Sequence, residues 1–283
     1  MGISQEFINL IKQNKIILNL SNCPCCFGTL ARGKALKEKF PEIILTGSSG
    51  LPISKKQYFP YGFISQNFKE LILREKIDLI IHDLRVNYDL YNVAIKLKIP
   101  QYLIHLNEEF KHQINTFKFE KIILPYPEEM SPEFEYIKKE KLFSGLITRE
   151  IDGSKIEQIK AKYKIGEKPV MAASFSTGEW LETEIILRYI FNNYNDKFDL
   201  IFIYGISYKG KIFSEVKSVF FEENLMELFS LADTVITAGS YNTISELIFL
   251  KKNIIAIPIP GNPGEKEVKR FAKYFPNIKI INL

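Results

Sequence analysis

Short apolar runs rich in β-branched residues alternate along this chain with stretches of helical spacing, and that alternation limits the fold more than any other feature. Buried parallel strands have this continuous apolar character, and the helices that join them cover both faces of the sheet. Val268, Phe271, Ala272 and Phe275 show the spacing of one helix face. The sequence therefore predicts an α/β fold with parallel sheets. Its predicted strands are residues 15–20, 42–46, 78–82, 101–105, 121–124, 170–174, 199–204, 217–221, 234–237, 254–257 and 279–281.

A polar and charged passage, residues 146–168, separates the first five predicted strands from the last six. We predict a domain boundary near Arg149, with one domain over residues 1–148 and the other over 149–283. The chain length of 283 residues suits two domains of about 150 residues each. Both halves have the pattern of a doubly wound, Rossmann-like sheet.

Composition excludes several classes of protein. With 46% hydrophobic and 25% charged residues, the chain is neither disordered nor collagen-like nor a disulfide scaffold. The formal net charge of +5 is modest and not clustered, so nucleic acid is not an expected partner. The longest apolar runs, such as 121–124 and 254–259, fall far short of the roughly 20 residues that a membrane helix needs.

The cysteines indicate a reducing compartment and no metal site. All three, Cys23, Cys25 and Cys26, lie within four residues, so they cannot form a disulfide framework. A structural zinc site needs four ligands, and the chain has no second cysteine pair. The segment 1–14 lacks a continuous apolar region and a cleavage site, so we expect a cytoplasmic protein without a secretory signal.

The first predicted helix, residues 3–12, places Phe7, Ile8 and Ile11 on one side. Three interpretations stay open for this apolar face. It covers part of the first domain, it forms a peripheral surface helix, or it makes peripheral membrane contact at the inner face of the membrane.

The strongest local signal follows the predicted strand 234–237, where a glycine turn leads into the polar start of a helix. Amides and hydroxyls at a helix N-terminus are suited to hold a diphosphate, and a carboxylate farther on can accept hydrogen bonds from ribose hydroxyls. The same residue types also cap helices that bind nothing, so both interpretations stay open. The residues concerned are Gly239, Ser240, Asn242, Thr243 and Glu246.

Continued through residues 249–261, this passage resembles the donor-binding region of family 28 glycosyltransferases. That family includes the UDP-N-acetylglucosamine transferase of peptidoglycan lipid synthesis and its archaeal-type relatives. The resemblance implies the GT-B architecture, in which two Rossmann-like domains face a cleft. It also implies that Gly239, Asn242 and Thr243 contact the diphosphate of a nucleotide sugar, with Glu246 on its ribose and Ser240 among the other donor-binding residues.

Further segments extend the resemblance at lower specificity. Residues 174–178 are similar to the family's Gly/Ser-rich loop, and residues 221–226 to the segment that reads the nucleobase edge. Glu267 and Arg270 stand where the family has Gln and Asn to bind donor hydroxyls. The resemblance thus adds Ser174, Thr177, Gly178, Phe221, Asn224, Leu225 and Glu267 to the predicted donor contacts.

The acceptor side departs from the family pattern. Gly28 and Arg32 fit a Gly-His-x-x-Arg motif, but Thr29 stands where the family has its histidine. A threonine hydroxyl is a poor general base at neutral pH.

We therefore look for the base at the ends of neighbouring strands, where Asp83 is the first candidate and His105 the second. The alternative for Asp83 is that it caps the next helix or pairs with Arg85.

The resemblance implies a hexosyltransferase. It would move a sugar from a UDP-linked or similar donor to a glycan, lipid-linked or small-molecule acceptor bound by residues 1–147. Transfer would proceed by direct displacement with inversion, with the UDP-sugar as substrate, no other cofactor and no metal. The alternatives are a nucleotide-sugar epimerase or hydrolase on the same fold, or a non-catalytic nucleotide-sugar-binding protein.

Overall fold

The computed structural model describes residues 2–20, 27–46, 67–106, 108, 111–175, 181–204, 208, 210–220, 222, 224–261 and 264–282, with the backbone alone at 27–30 and 181. The chain forms two compact units, Met1–Arg149 and Glu150–Leu283. Each unit contains one sheet of six parallel strands with helices packed against it.

Unit 1 has the sheet order β2-β1-β3-β4-β5-β6, with every neighbouring pair parallel. A 3₁₀ helix, Glu128–Phe134, precedes the last strand. The other elements are α1 (Gln5–Gln13), β1 (Ile16–Asn19), α2 (Phe27–Lys39), β2 (Ile44–Thr46), α3 (Phe68–Glu75), β3 (Leu79–Asp83), α4 (Tyr88–Leu97), β4 (Gln101–Ile104), α5 (Lys111–Thr116), β5 (Lys121–Leu124) and β6 (Lys141–Phe143).

Unit 2 has the sheet order β12-β11-β10-β7-β8-β9, again with parallel neighbours throughout. Its elements are α6 (Gly153–Lys162), β7 (Val170–Phe175), α7 (Leu181–Tyr194), β8 (Asp199–Tyr204), β9 (Lys217–Val219), α8 (Leu225–Leu231), β10 (Thr234–Thr237), α9 (Tyr241–Phe249), β11 (Asn253–Ala256), α10 (Gly264–Ala272) and β12 (Ile278–Ile280).

Both sheets have a point where the strand order reverses. In unit 1 the chain passes from β1 outward to β2 and returns on the other side at β3. In unit 2 it passes from β7 to β8 and β9 and returns at β10. Ligands of doubly wound sheets bind at the carboxyl ends of the strands beside such a reversal. The residues that follow β1, β3, β7 and β10 are therefore the ones placed to contact a ligand.

Helix α1 packs into the core of unit 1. Ser4 is its N-cap and accepts a hydrogen bond from the Phe7 amide, while the Ser4 hydroxyl donates to the carbonyl of Phe143 at 2.7 Å. Phe7 and Ile11 are fully buried in one hydrophobic cluster with strand residues such as Leu18. The apolar face of α1 is thus covered by its own unit, as the first of the three interpretations predicts. In the described part of the chain, no helix is long and apolar enough to cross a membrane.

One strand is absent from the sequence prediction, and several, the edge strand β9 among them, are shorter than predicted. The three-residue strand β6 pairs with β5 at the sheet edge and is too short to show a periodic pattern. Residues 144–147 follow it directly. Within that stretch, Gly145 forms an antiparallel bridge with Ile3. Strand β9 ends at Val219, not at residue 221.

The packing of α1 predicts a large stability cost for Phe7→Ala. The substitution removes a fully buried ring and leaves a cavity, so the free energy of unfolding should fall by about 3–5 kcal/mol. Urea unfolding measures it. Leu73→Ala, at a side chain that is 58% exposed, is the control and should cost less than about 1 kcal/mol. A cost for Phe7→Ala as small as the control's would contradict the burial of α1.

Candidate functional site

The turn between β10 and α9 lies at the strand reversal of unit 2. Strand β10 ends at Thr237, which pairs in register with Ser174 on β7. Gly239 follows with φ +91°, a backbone conformation that residues with a Cβ rarely adopt. Ser240 then occupies the N-cap position of α9. The motif singled out in the sequence therefore stands at the edge where doubly wound sheets bind their ligands.

Two glycines bring the start of α10 against this turn. A Cβ on Gly239 would lie 1.7 Å from Cγ2 of Val268, and a Cβ on Gly264 would lie 2.7 Å from the Gly239 carbonyl oxygen. Glycine is thus required at Gly239 for its backbone angle and for this close approach. The first turns of α9 and α10 consequently lie side by side.

The hydroxyl groups of the turn bond locally. The Gly239 amide donates to Oγ1 of Thr237 at 3.1 Å, and Oγ of Ser240 lies 3.0 Å from Oγ1 of Thr243. Within the described residues, the Ser240 side chain makes no capping hydrogen bond to the first amides of α9. Simple side-chain capping, the alternative interpretation of this motif, is therefore not the role of Ser240 here.

Two buried carboxylates stand on the neighbouring helices. Glu246 on α9 and Glu267 on α10 are both less than 5% exposed. Oε1 of Glu267 accepts a hydrogen bond from Nη1 of Arg270 at 2.9 Å. The two residues that replace the family's Gln and Asn thus form an ion pair with each other. Asn242 is half-buried and Thr243 buried at the start of α9.

The remaining predicted donor contacts are only partly described. Ser174 is buried at the end of β7. Asn224 is the N-cap of α8, and its Oδ1 accepts a hydrogen bond from Nζ of Lys155 at 3.1 Å. Leu225 begins α8 and is half-buried. Thr177, Gly178 and Phe221 lie outside the described residues.

At the strand reversal of unit 1, Asp83 forms a buried ion pair with Arg32. Nη2 of Arg32 donates to Oδ1 of Asp83 at 2.7 Å and Nε donates to Oδ2 at 3.2 Å, with both side chains at most 1% exposed. Burial raises the pKa of the Asp83 carboxyl, and the Arg32 charge opposes that rise. The partner of Asp83 is thus Arg32 on α2, rather than Arg85.

The two candidate bases lie on opposite faces of the unit 1 sheet. Asp83 pairs in register with Ile104, so alternation along β4 sends His105 to the other face. Nε2 of His105 lies 2.7 Å from the hydroxyl of Tyr136, and His105 is fully buried whereas Tyr136 is half-buried. Sequence reasoning missed Tyr136, which lies 31 residues from His105 in a stretch without a periodic pattern.

His82 is held neutral between two amide side chains. Its Nδ1 lies 3.3 Å from Nδ2 of Asn19, and its Nε2 lies 3.0 Å from Oε1 of Gln101. Because the amide nitrogen can only donate and the amide oxygen can only accept, the neutral ring carries its proton on Nε2. Burial lowers the pKa of His82 to about 4.

Unsatisfied polar atoms lie at the carboxyl ends of β1 and β2. Asn19 and Thr46 pair in register there and are at most 1% exposed. Among the described residues, Oδ1 of Asn19 and Oγ1 of Thr46 have no hydrogen-bond partner. Buried polar atoms are normally bonded, so these two favour a ligand or a water molecule at this edge. No sequence pattern pointed to them.

The other predicted acceptor-side residues lie in the same region. Gly28 and Thr29 belong to the first turn of α2, one turn before Arg32, and only their backbone is described. The cysteine cluster, residues 23–26, lies outside the described residues. Elsewhere in the described chain, no group of three or more His, Cys, Asp or Glu side chains is placed to hold a metal ion.

No sequence model of a protein family matches this chain, and no curated protein sequence matches it. Solved structures do. The spinosyn forosaminyltransferase SpnP matches 95% of this chain and 85% of its own, with a TM-score of 0.58 and 12% identity. The calicheamicin glycosyltransferase CalG4 gives the same coverage, a TM-score of 0.61 and 12% identity. A UDP-glucosyltransferase from Polygonum tinctorium matches 93% of this chain and 82% of its own, with a TM-score of 0.60 and 10% identity.

At these identities the likeness shows the fold. The three matches are glycosyltransferases of the GT-B class, so the predicted pair of Rossmann-like α/β domains is confirmed. The narrower resemblance to family 28 stays a prediction. The chain thus has the GT-B fold.

The buried ion pair predicts a strong effect of Arg32→Met. This substitution leaves the Asp83 carboxyl buried without its main partner, so the free energy of unfolding should fall by about 3–5 kcal/mol. Arg74→Met removes an exposed ion pair with Glu75 and should cost less than about 1 kcal/mol. Urea unfolding of both variants measures the two losses in the free energy of unfolding. Similar costs for the two would show that the Arg32 pair contributes no more than a surface pair.

The lowered pKa of His82 predicts a loss of stability in acid. Because an unfolded histidine titrates near pH 6.5 and folded His82 near pH 4, the unfolded chain binds more protons between these values. The free energy of unfolding should therefore decrease as pH falls through this window, by about 3 kcal/mol at most. Urea unfolding at several pH values should show a weaker pH dependence for His82→Gln than for the wild type.

The control is the exposed His112. His112→Gln should keep the wild-type pH dependence. Parallel curves for the wild type and His82→Gln would contradict a neutral His82.

Proposed function

We propose that this chain is a glycosyltransferase that takes its sugar from a nucleotide sugar, UDP-linked by the resemblance of its motif. Unit 2 would hold the donor, and unit 1 would bind the acceptor. The proposal is supported by the GT-B fold and by glycosyltransferases as its structural neighbours. One of these neighbours is a UDP-glucosyltransferase.

One observation carries the proposal, and that is the position of the Gly239 turn. The turn follows β10 beside β7, where the strand order of unit 2 reverses, and it opens the nine-residue helix α9. A helix N-terminus carries a partial positive charge and oriented amides, which favour a diphosphate. We assign the diphosphate to Gly239, Ser240, Asn242 and Thr243.

The flanking residues fit the rest of a nucleotide sugar. Glu246 lies within α9, beyond the phosphate-binding turn, where its carboxylate would accept from ribose hydroxyls. Glu267 is oriented by Arg270 at the start of α10, which lies against the Gly239 turn. We assign Glu267 to the donor side, where an ionised carboxylate would accept from sugar hydroxyls.

The proposed reaction is a direct displacement. The acceptor hydroxyl oxygen forms the new bond to the anomeric carbon as the bond to the diphosphate oxygen breaks, which inverts the configuration. The departing UDP carries the negative charge, and the N-terminus of α9 stabilises it without a metal ion. The hydroxyl proton passes to a general base, which must come within hydrogen-bond reach of that hydroxyl.

Asp83 and His105 remain the proposed bases. The contacts of each residue determine what must change before it can accept a proton. Asp83 would accept a proton only after Arg32 releases one of its oxygens. His105 is enclosed, and its half-buried partner Tyr136 would connect it to the acceptor. The unsatisfied atoms of Asn19 and Thr46 belong to the face of the sheet that carries His82, opposite to the face of Asp83, and would bond an acceptor hydroxyl there.

The proposal predicts that UDP and UDP-sugars stabilise the native protein. A ligand at 100 times its Kd adds about 2.7 kcal/mol to the free energy of unfolding, which a thermal-shift assay detects.

Thr243→Val removes a hydroxyl of the turn and should weaken UDP binding about tenfold, as measured by titration calorimetry. Thr234→Val, at the opposite end of β10, is the matched control and should bind UDP like the wild type.

The outcomes separate the alternatives. If no nucleotide or nucleotide sugar shifts the melting temperature, the donor site is wrong. If UDP-sugar is converted without an acceptor to free sugar and UDP, or to an epimer, the protein is a hydrolase or an epimerase. Binding without turnover of any donor and acceptor pair would indicate a nucleotide-sugar-binding protein.

A further inference from the structure

Asn19 and Thr46 end neighbouring strands of unit 1, and each keeps a buried polar atom without a bond. Both residues are at most 1% exposed. They pair in register on β1 and β2, so their side chains project from the same face of the sheet about 5 Å apart. Within the described part of the chain, Oδ1 of Asn19 and Oγ1 of Thr46 have no hydrogen-bond partner. We call Asn19 and Thr46 the strand-end pair.

The direction of the Asn19 amide is fixed by a chain of hydrogen bonds between two backbone carbonyls. Nε2 of Gln101 donates to the carbonyl of Tyr91 at 3.4 Å, so Oε1 of Gln101 faces His82 and accepts from its Nε2. Nδ1 of His82 then accepts from Nδ2 of Asn19, which also donates to the carbonyl of Arg85 at 3.2 Å. Because a carbonyl oxygen can only accept, neither amide can turn over without losing its bonds. Oδ1 of Asn19 is therefore an acceptor of fixed orientation.

The two unbonded atoms destabilise the free protein. A buried polar atom without a partner lowers the stability of the folded state. Valine has the shape of threonine without its hydroxyl, so packing alone does not explain Thr46. Proteins keep such costly groups at binding sites, where a ligand supplies the missing partner. The strand-end pair therefore has the character of a binding site.

The chemistry of the strand-end pair selects a neutral hydroxyl. Oδ1 of Asn19 only accepts, so the ligand atom must carry a hydrogen, which excludes the oxygens of a phosphate, a carboxylate, a ketone or an ether. The hydroxyl of Thr46 both donates and accepts, as a ligand hydroxyl does. A ligand ammonium would also donate, but the side chain bonded to Asn19 is the neutral His82, and a buried cation needs an opposite charge.

The hydroxyl held by the strand-end pair is not the one that reacts. Asp83 lies on β3, next to β1, but on the opposite face of the sheet. His105 lies on the same face as Asn19, but it follows β4, two strands and about 10 Å from β1. A general base must come within about 3 Å of the hydroxyl whose proton it takes. A molecule that reaches both the strand-end pair and a base thus carries at least two hydroxyls.

We propose that the strand-end pair is a hydroxyl-binding subsite for the acceptor, and that the acceptor is a neutral sugar or glycoside. The inference rests on the proposed function, because it assumes that unit 1 binds the acceptor. A sugar ring presents several neutral hydroxyls on a rigid frame. One of them bonds to Asn19 and Thr46, and another is thereby presented to the base. Asn19 and Thr46 determine specificity, and His82 and Gln101 are positioning residues that orient Asn19.

The experiment compares rings that carry several hydroxyls with a ring that carries one. The probes are the methyl glycosides of glucose, galactose, mannose and N-acetylglucosamine, with cyclohexanol as the single-hydroxyl ring. Titrations followed by saturation-transfer NMR measure their dissociation constants on the full chain. At least one glycoside should bind at least tenfold more tightly than cyclohexanol, since only a glycoside can bond to the strand-end pair and place a second hydroxyl elsewhere.

Thr46→Val tests the subsite without a change of shape. It should weaken binding of that glycoside about tenfold, because the hydroxyl bond to the ligand is lost. Since Oγ1 of Thr46 has no partner in the free protein, the substitution should not lower the melting temperature. Thr46→Ser keeps the hydroxyl and should bind within about twofold of the wild type. Thr116→Val, at an exposed threonine of α5, is the matched control and should change neither quantity.

The remaining outcomes overturn the inference. An unchanged glycoside affinity in Thr46→Val would show that the strand-end pair holds a water molecule only. Cyclohexanol binding as tight as that of the glycosides would show an acceptor with one hydroxyl. A wild type that binds UDP but no glycoside overturns this inference and leaves the proposed function standing. A wild type that binds a glycoside through Thr46 but no nucleotide keeps the subsite and overturns the proposed donor site.

Discussion

Parallel pairing of β7 with β10 is the constraint on which the candidate site depends. These strands are 59 residues apart in the chain, counted from Phe175 to Thr234, yet they pair over four residues from Thr234 and Met171 to Thr237 and Ser174. The pairing places the ends of both strands at one edge and makes the strand order reverse there. A reversal separates the loops on its two sides, which leaves room for a ligand. The Gly239 turn has its proposed function only because it follows β10 at this point.

In unit 1 the strand order also reverses, but most side chains at that edge are buried and paired with one another. There the reversal lies between β1 and β3, and its edge holds charged and polar side chains that are mostly enclosed. Asp83 is paired with Arg32 on one face, and His82 lies between Asn19 and Gln101 on the other. Isolated charges and polar groups are costly to bury, so each acquires a partner. Asp83, the first candidate base, is thereby held in an ion pair.

Much of the fold follows from local signals. Eleven of the twelve strands cover at least half of a predicted run, for example β7 and β8, because a buried parallel strand needs a continuous apolar segment. Strand β6, which the sequence did not predict, has only three residues. Its position is fixed by pairing with β5, and the chain before α1 bonds to the residue that follows it. Strand β9, at the other sheet's edge, ends at Val219, two residues before its predicted end. Short edge strands depend on partners that no local pattern contains.

The sequence alone determined the alternation of strands and helices, the glycine turn after β10 and the apolar face of α1, because each depends on residues close together in the chain. The tertiary structure decided which partners the buried charges acquire. Arg32 meets Asp83 across 51 residues, and Lys162 meets Glu222 across 60. Such pairs form only when the strands between the two residues have paired into a sheet. Which strands become neighbours depends on the whole sheet, and no local segment of the sequence contains that information.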